Sequence, residues 1–426
     1  MDYKLHTLPS GLRVLTVPLP DLKSATVAVW VKTGSRNEEK KVNGISHFLE
    51  HMVFKGSAKR PSAKAISEAV DAIGAEFNAA TAKDWTNFYI KSATGHLETA
   101  FDVLSDMVLN PLLRKEEISR EKGTILQEIA MYEDTPMMHI NDIFENVIFN
   151  GSSLGWDTAG TSESVKRITK YDFERYRKRY YYPENMLVTV AGGVTQNISL
   201  KLAEKYFGKF KTLNPKSQIN SKFQNQQTRP QIKLQTKKTD QAHLIMGFRG
   251  DGRGYAGREA QAVLATILGG GMSSRLFIEI RERRGLAYSV KTSFERYQET
   301  GYLGTYAGVN LAKIDEVISV MLEQHYCLVS SIKYRVSLAE LRKAKEFLKG
   351  HLALALEDTL DVANYYVTQA LFLPKIENPD KVMAKIDKVT VEDVAAEAGR
   401  LFKPDRLNLA IIGPYNNPSK FQKLLG

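Results

Sequence analysis

Two histidines and a glutamate lie close together in the segment His47-Phe48-Leu49-Glu50-His51. If this segment is helical, His47, Glu50 and His51 share one face, because residues three and four apart are neighbours on a helix. Two imidazoles one turn apart can bind a single Zn²⁺ ion, and a carboxylate beside them can take a proton from a metal-bound water. The order His-x-x-Glu-His is the inverse of the commoner His-Glu-x-x-His and is a signature of catalytic zinc sites. The segment therefore predicts a zinc centre with Glu50 as the general base.

A catalytic zinc ion usually has three protein ligands, so a third must come from elsewhere in the chain. Residues 116–132 show helical spacing and offer four glutamates for this role: Glu116, Glu117, Glu121 and Glu128. Glu121 and Glu128 are seven residues apart, so they would share a helix face. From the residues alone, either of these two could be the ligand.

The composition is that of an ordinary globular protein, with 426 residues, 43% hydrophobic and 25% charged. A single cysteine, Cys327, excludes both an intramolecular disulfide and a cysteine-based zinc site. The segment from Met1 to Pro20 contains no uninterrupted apolar run, so we expect neither a signal peptide nor a membrane segment, and a cytoplasmic protein. The net charge is +11, but the basic residues are dispersed and their densest cluster, 281–284, includes Glu282. We therefore expect binding to neither nucleic acid nor membranes.

The second half of the chain repeats features of the first half. Four pairs of segments correspond: 182–192 with 403–413 and 168–173 with 389–394, which share one offset, then 133–135 with 357–359, and 25–34 with 241–250. A period this long indicates duplicated domains and not a solenoid. We therefore predict two homologous domains related by a pseudo-two-fold duplication.

A polar stretch rich in Asn, Gln, Ser and Lys separates the two halves. We predict a linker at 213–229, between a metal-binding domain at 1–212 and a homologous domain at 230–426. Apolar spacing predicts helices at 97–109 and 115–132 and strands at four places: 13–16, 27–32, 86–92 and 187–191. Several strands are separated by short turns, which favours an α+β fold in which a mainly antiparallel sheet packs against helices.

The metal motif itself is not repeated. Aligning 44–52 with 264–272 gives three pairs: His47 with Ile267, Glu50 with Gly270, and His51 with Gly271. The second half thus has a glycine-rich segment where the first half has the motif. No Gly-Lys-Ser/Thr follows these glycines, so we do not expect a phosphate-binding loop. The pattern fits a flexible substrate-contacting loop or a tight turn that ends a helix.

With these features the chain resembles the pitrilysin and insulin-degrading-enzyme family of zinc peptidases, in particular its processing-peptidase branch. The resemblance covers both halves. In that family the third zinc ligand is a Glu at a set spacing after the second His, and this spacing falls on Glu128 here. A supporting Glu of the family lies seven residues earlier, here Glu121. The resemblance thus implies one zinc ion per chain, bound by His47, His51 and Glu128, with Glu50 as the general base.

The resemblance also implies residues that contact the substrate. The family has an Arg and a Tyr seven residues apart in the domain without the motif, and Arg281 and Tyr288 fit that spacing. It binds its substrate as an added strand along a sheet edge, where Asn78 and Ala79 match the usual pair. Edge pairing gives affinity through backbone hydrogen bonds, largely independent of substrate sequence. The glycine-rich segment with Gly270 and Gly271 is the further expected substrate contact.

We therefore expect a zinc endopeptidase that hydrolyses unstructured oligopeptides or presequence-like segments. In this family a complete chamber needs four such domains, so the two domains here imply a homodimer or a heterodimer with a homologous subunit. The alternative is a non-catalytic peptide-binding or structural subunit that pairs with an active homologue. A third class is a zinc enzyme that acts on something other than peptides. All four chemical positions of the motif are present, which favours the peptidase.

Overall fold

The computed structural model describes residues 1–210, 230–330 and 336–425. These residues form two compact units, each assembled from separated segments of the chain. The first unit comprises Met1–Ala130, 156–210 and Leu354–Asn378, and the second comprises Met131–Gly155, the described part of 230–353, and 379–425. The predicted linker at 213–229 lies outside the described residues.

The first unit is built on a six-stranded sheet. Its strands are β1 (Lys4–Thr7), β2 (Arg13–Pro18), β3 (Ser24–Val31), β4 (Glu76–Thr81), β5 (Thr86–Ala93) and β6 (Met186–Gly192). Their order across the sheet is β1-β2-β6-β3-β5-β4, which leaves β4 at an outer edge. The β2–β6 pair is parallel and the other pairs are antiparallel.

The second unit repeats this arrangement in a five-stranded sheet. Its strands are β7 (Gln231–Thr236), β8 (Gln241–Asp251), β9 (Ala287–Arg296), β10 (Thr300–Asn310) and β11 (Leu407–Gly413), in the order β7-β11-β8-β10-β9. The β7–β11 pair is parallel and the others are antiparallel. Position by position, this is the order of the first sheet without β1. The predicted α+β class, with two homologous halves around mainly antiparallel sheets, is confirmed.

Helices surround both sheets. They are α1 (Ile45–Val53), α2 (Ala63–Asp71), α3 (Leu97–Leu109), α4 (Lys115–Asp134), α5 (Pro136–Ile148), α6 (Ser162–Arg167), α7 (Lys170–Tyr180), α8 (Gln196–Phe207), α9 (Arg258–Gly269), α10 (Ile314–Ser330), α11 (Leu338–Ala355), α12 (Thr359–Phe372), α13 (Pro379–Lys388), α14 (Val391–Leu401) and α15 (Pro418–Leu425), with a π-helical segment at Phe277–Arg283. The predicted helices and strands agree with these bounds to within three residues. Within the described ranges, no helix is both long enough and apolar enough to cross a membrane.

The duplication extends to the residues that start the helices. Thr169 and Asp172 form a reciprocal capping box at the start of α7, and Thr390 and Asp393 form one at the start of α14. Such a box satisfies backbone N–H groups that have no partner within the helix. The two boxes occupy equivalent positions in the predicted alignment of 168–173 with 389–394.

Strand pairing shifts one of the predicted correspondences by one position. Thr26 pairs with Ala191 in the first sheet, and His243 pairs with Ile412 in the second. Because Ala191 and Ile412 are equivalent in the alignment of 182–192 with 403–413, Thr26 corresponds to His243. The predicted correspondence of 25–34 with 241–250 therefore holds for the two strands, β3 and β8, but its register, which matches Thr26 with Ala242, is off by one residue. Since side chains alternate across a strand, an error of one position exchanges its two faces.

Each sheet is covered on one face by a helix from the other half of the sequence. In the first unit, Val362 and Tyr366 of α12 pack against Ala28 and Trp30 of β3 in a buried apolar cluster. In the second unit, α5 covers the sheet in the same way, with Phe144 in the cluster that contains the sheet residues Ile245, Tyr302 and Ala410. Covering both faces explains why β6 is buried at every position. No pattern in the sequence predicts this exchange of helices between the two halves.

Candidate metal centre

Helix α1 presents the motif and anchors it with its opposite face. Ile45, Phe48, Leu49 and Met52 are buried in the core of the first unit, and His47, Glu50 and His51 are half-buried on the remaining face. The helical period therefore separates the apolar from the chemical residues, as the motif predicted.

The residue before α1 has to be glycine. Gly44 has φ +94°, a left-handed conformation that L residues with a side chain rarely adopt. A Cβ atom at this position would lie 2.5 Å from the carbonyl oxygen of Ala159. The close approach of Gly44 to Ala159 fixes where α1 begins.

A buried carboxylate also holds the start of α1. Glu38 accepts hydrogen bonds from the backbone N–H groups of Gly44 (2.7 Å) and Ser46 (2.8 Å) and from Asn43 Nδ2 (2.8 Å). The two N–H groups are donors at a helix N-terminus, where negative charge is favourable. Burial nevertheless outweighs these bonds and raises the pKa of Glu38 to about 7.

The candidate ligand atoms form a compact cluster. His47 Nε2 lies 3.2 Å from His51 Nε2. Glu128, from α4, places Oε1 at 3.5 Å from His47 Nε2 and Oε2 at 3.5 Å from His51 Nε2. With one ligand atom taken from each residue, the three atoms all lie within 4.8 Å of one another. Ligands about 2.0–2.1 Å from a tetrahedral zinc ion are about 3.3 Å apart. The donor types and their spacing thus fit a zinc ion.

Glu121, two turns before Glu128 on α4, contacts the imidazole of His51 on the side opposite Nε2. His51 Nδ1 donates to Glu121 Oε1 at 2.8 Å, and Lys55 Nζ lies 2.6 Å from Glu121 Oε2. With its proton on Nδ1, His51 presents the lone pair of Nε2 toward Glu128. The two alternatives from the sequence therefore differ in geometry: Glu128 faces the ligand nitrogens, and Glu121 orients one of them.

The charges of the cluster suit a cation. The contact with His47 holds the pKa of Glu128 below its ordinary value, although burial opposes this shift. Burial acts to raise the pKa of Glu121, but the hydrogen bonds from His51 and Lys55 outweigh it and lower that pKa. For His47, burial acts to lower the pKa, and the contact with Glu128 outweighs it and raises the pKa. Both carboxylates are therefore ionised at neutral pH.

Strand β4 runs beside α1, the helix that carries the motif. Thr81 Oγ1 donates to Glu50 Oε2 at 2.5 Å, and Phe77 contacts Phe54, just after α1, with ring centroids 5.5 Å apart. Asn78 is exposed and Ala79 is half-buried, and Asn78 Oδ1 accepts from the backbone N–H of Ala79 at 2.8 Å. Ala82 donates its N–H to the Trp85 carbonyl at 2.9 Å, and hydrogen-bonded positions alternate along an antiparallel pair, so the N–H of Ala79 points to the free edge, where an added strand would need it.

The other predicted substrate contacts lie in the second unit. Arg281, in the π-helical segment, stacks on the rings of Phe277 (4.9 Å) and Tyr288 (5.1 Å), and Tyr288 is 76% exposed. Gly270 and Gly271 follow α9 directly, with Gly270 as its C-cap, which matches the predicted helix-ending turn. The role of these four residues at the metal centre stays a prediction.

Three residues of the site were not among the predicted ones: Glu38, Lys55 and Thr81. Lys55 lies four residues after His51, a helical spacing that could have suggested it. Thr81 lies two residues after Ala79, on the same side of a strand, so the period of two was a signal for it. Glu38 reaches α1 from an irregular segment, and no periodicity indicates that contact.

Comparisons with known proteins identify the family. Residues 13–162 match the family model described as Insulinase (Peptidase family M16), and residues 167–348 match the one described as Peptidase M16 inactive domain. An uncharacterized zinc protease of Streptomyces coelicolor is 37% identical over 412 residues, which cover 96% of this chain and 89% of that protein. The chain belongs to peptidase family M16.

Other M16 relatives agree along almost the whole chain. An uncharacterized zinc protease of Bacillus subtilis is 34% identical, with 97% of this chain and 99% of that protein covered. A solved structure, a protease from Helicobacter pylori, matches with a TM-score of 0.89 at 23% identity, covering 97% of this chain and 99% of that one, and so shares the M16 fold. The resemblance to the pitrilysin family is confirmed. The M16 model described as inactive matches mainly the half without the metal motif.

Proposed function

We propose that this M16 protein is a zinc-dependent endopeptidase that hydrolyses unstructured oligopeptides or presequence-like segments. The observation that supports this most strongly is the cluster of His47, His51 and Glu128, in which the nearest nitrogen–nitrogen and nitrogen–oxygen distances are 3.2–3.5 Å. Glu50 projects from the same helix face as the two histidines, as a general base must. The names of the M16 relatives, zinc proteases, agree with this proposal.

The chain's own residues divide the reaction between them. His47, His51 and Glu128 would hold the ion, and Glu121 would orient His51. When bound, zinc supplies Lewis acidity that lowers the pKa of a water molecule toward neutrality.

Glu50 would take a proton from the attacking water as the water oxygen bonds to the scissile carbonyl carbon. It returns the proton to the amine when the C–N bond breaks, so the products are a carboxylic acid and an amine. We assign to Arg281 and Tyr288 the donation of hydrogen bonds to substrate carbonyl oxygens, including the developing oxyanion.

The free edge of β4 supports the choice of an unstructured substrate. An added strand needs an extended peptide and pairs through backbone groups, which is largely independent of sequence. Asn78 and Ala79 are the residues we assign to this pairing. The net charge of +11 argues against a preference for strongly basic peptides, because like charges repel.

Cleavage of a short fluorogenic peptide by the purified protein, with and without a chelator, tests the proposal. We expect chelator-sensitive cleavage by the wild type. Glu50→Gln should bind zinc equally well and lose at least about 100-fold in rate, because proton transfer is removed. Glu68→Gln, which changes an exposed glutamate of α2, is the matched control and should cleave normally.

Each other outcome has a distinct meaning. Normal turnover by zinc-loaded Glu50→Gln contradicts the role of Glu50. A wild type that binds zinc and peptide without cleavage supports the alternative, a non-catalytic subunit that pairs with an active homologue. Mass spectrometry of the products identifies the cleaved bond and separates a peptidase from a zinc enzyme of another class.

A further inference from the structure

The carboxylate of Glu50 is already held by a neighbour. Thr81 Oγ1 donates to Glu50 Oε2 at 2.5 Å. An ionised carboxylate can only accept, so the hydroxyl is the donor, and a bond this short is typical of the strong, charge-assisted kind. The bond holds one carboxylate oxygen, and among the described residues none is hydrogen-bonded to the other oxygen, Oε1, which can therefore accept a proton.

Thr81 belongs to the strand that offers the free edge. Along β4 the residues Phe77, Ala79 and Thr81 are half-buried, and the residues between them are exposed. Phe77 packs on Phe54 at the end of α1, so this half-buried side of β4 faces α1. The strand proposed to bind the peptide is therefore also the strand that holds Glu50.

The end of β4 is itself firmly held. The backbone N–H groups of Ser35 and Arg36 donate to the carbonyl oxygens of Ala82 and Lys83, each at 3.1 Å. Arg36 also forms a buried ion pair of 2.7 Å with Asp84, and buried pairs of this kind are costly to break. The Thr81 hydroxyl is thus presented from a backbone that is held directly after this residue.

We propose that Thr81 is a positioning residue for peptide hydrolysis, which fixes the carboxylate of Glu50 so that Oε1 stays available for the proton of the attacking water. This inference rests on the proposed function. It assigns to β4 two tasks, pairing with the peptide backbone and aligning the general base. Because the Thr81 side chain points toward α1 and away from the free edge, it affects catalysis more than peptide binding.

Two substitutions separate the hydroxyl from the shape of the side chain. Thr81→Val keeps the shape and removes the donor, and Thr81→Ser keeps the donor. We expect Thr81→Val to lower kcat by about 10- to 100-fold with KM changed by less than about threefold, because a hydrogen bond to a charged group is lost. Thr81→Ser should retain kcat to within about threefold.

Thr86→Val is the matched control. Thr86 lies directly opposite Thr81 in the strand pair, is fully buried, and donates its hydroxyl to the Thr33 carbonyl at 3.0 Å. The Thr86→Val variant should cleave at the wild-type rate. This result would show that loss of a threonine hydroxyl in this strand pair is not by itself enough to lower kcat. Zinc content should be the same in all variants. Peptide affinity, measured in the zinc-loaded Glu50→Gln background, should be unchanged by Thr81→Val.

Unchanged kcat in Thr81→Val, or a serine variant as slow as the valine variant, overturns the inference while the proposed function stands. A rise in KM with normal kcat also overturns it, since Thr81 would then act in binding. A wild type that cleaves no peptide contradicts the proposed function, and the inference fails with it.

Discussion

Glu121→Gln should weaken zinc binding although Glu121 is not a proposed ligand. The carboxylate of Glu121 accepts from two donors, His51 Nδ1 at 2.8 Å and Lys55 Nζ at 2.6 Å, and its side chain is only 4% exposed. A glutamine has one acceptor oxygen and an NH₂ group, so one of the two donors must lose its partner.

The size of the effect follows from these contacts. Lys55 is 28% exposed, so its ammonium group can turn to solvent at little cost. The glutamine oxygen can then stay with His51 Nδ1, so the main loss is the negative charge behind His51, which raises the basicity of its Nε2. Mutation of the carboxylate behind a ligating histidine typically costs about 10- to 100-fold in metal affinity, or about 1.4–2.7 kcal/mol.

Competition with a chromophoric zinc chelator measures the affinity. Glu116→Gln is the control, because it makes the same change at an exposed position of α4. Glu128→Gln should lose more affinity than Glu121→Gln, because it weakens a ligand itself. If Glu121→Gln binds zinc as tightly as Glu116→Gln, the proposed support of His51 is refuted. If Glu121→Gln loses more than Glu128→Gln, the two roles are exchanged.

The remaining predictions concern stability and assembly. Burial opposes ionisation of Glu340, but the hydrogen bond from Arg275 outweighs it and lowers the pKa of Glu340 to about 2. The folded state thus gains stability above the unfolded pKa of about 4.3 and loses it as pH falls toward 2; discounted for partial exposure, the gain is about 1–2 kcal/mol. In urea unfolding of metal-free protein, Glu340→Gln should be less stable than wild type at pH 6, and this deficit should be much smaller at pH 2; an equal deficit at both values contradicts this assignment. We also propose a homodimer, or pairing with a homologous subunit; sedimentation equilibrium should give twice 47.9 kDa for a homodimer, and a mass of 47.9 kDa rejects the homodimer.

The local part of the site could be predicted because it depends on spacing along the chain. The positions of His47, Glu50 and His51 on one face of α1 follow from the helical period. The same period left Glu121 and Glu128 as alternatives, because both lie on one face of α4. The two differ in which imidazole nitrogen their carboxylates face. Spacing along α4 does not determine this, because it depends on how α4 packs against α1.

The parts that were not predicted depend on contacts between distant segments. Thr81 and Glu50 meet because β4 packs beside α1, which no pattern within either segment requires. The apolar face of α5, with Ile140 and Phe144, predicts that this helix packs against something, but not that it covers the sheet of the second unit. Amphipathic patterns specify a buried face without specifying its partner.

The most direct test of the central claim is the rate of peptide cleavage as zinc is added back to metal-free protein. We predict no cleavage without metal, a rate that rises in proportion to the zinc bound, and a plateau at one zinc ion per chain. Glu50→Gln should take up the same single equivalent and remain inactive. Cleavage by the metal-free protein, or no cleavage with one zinc ion bound, would contradict the claim that this M16 protein is a zinc peptidase.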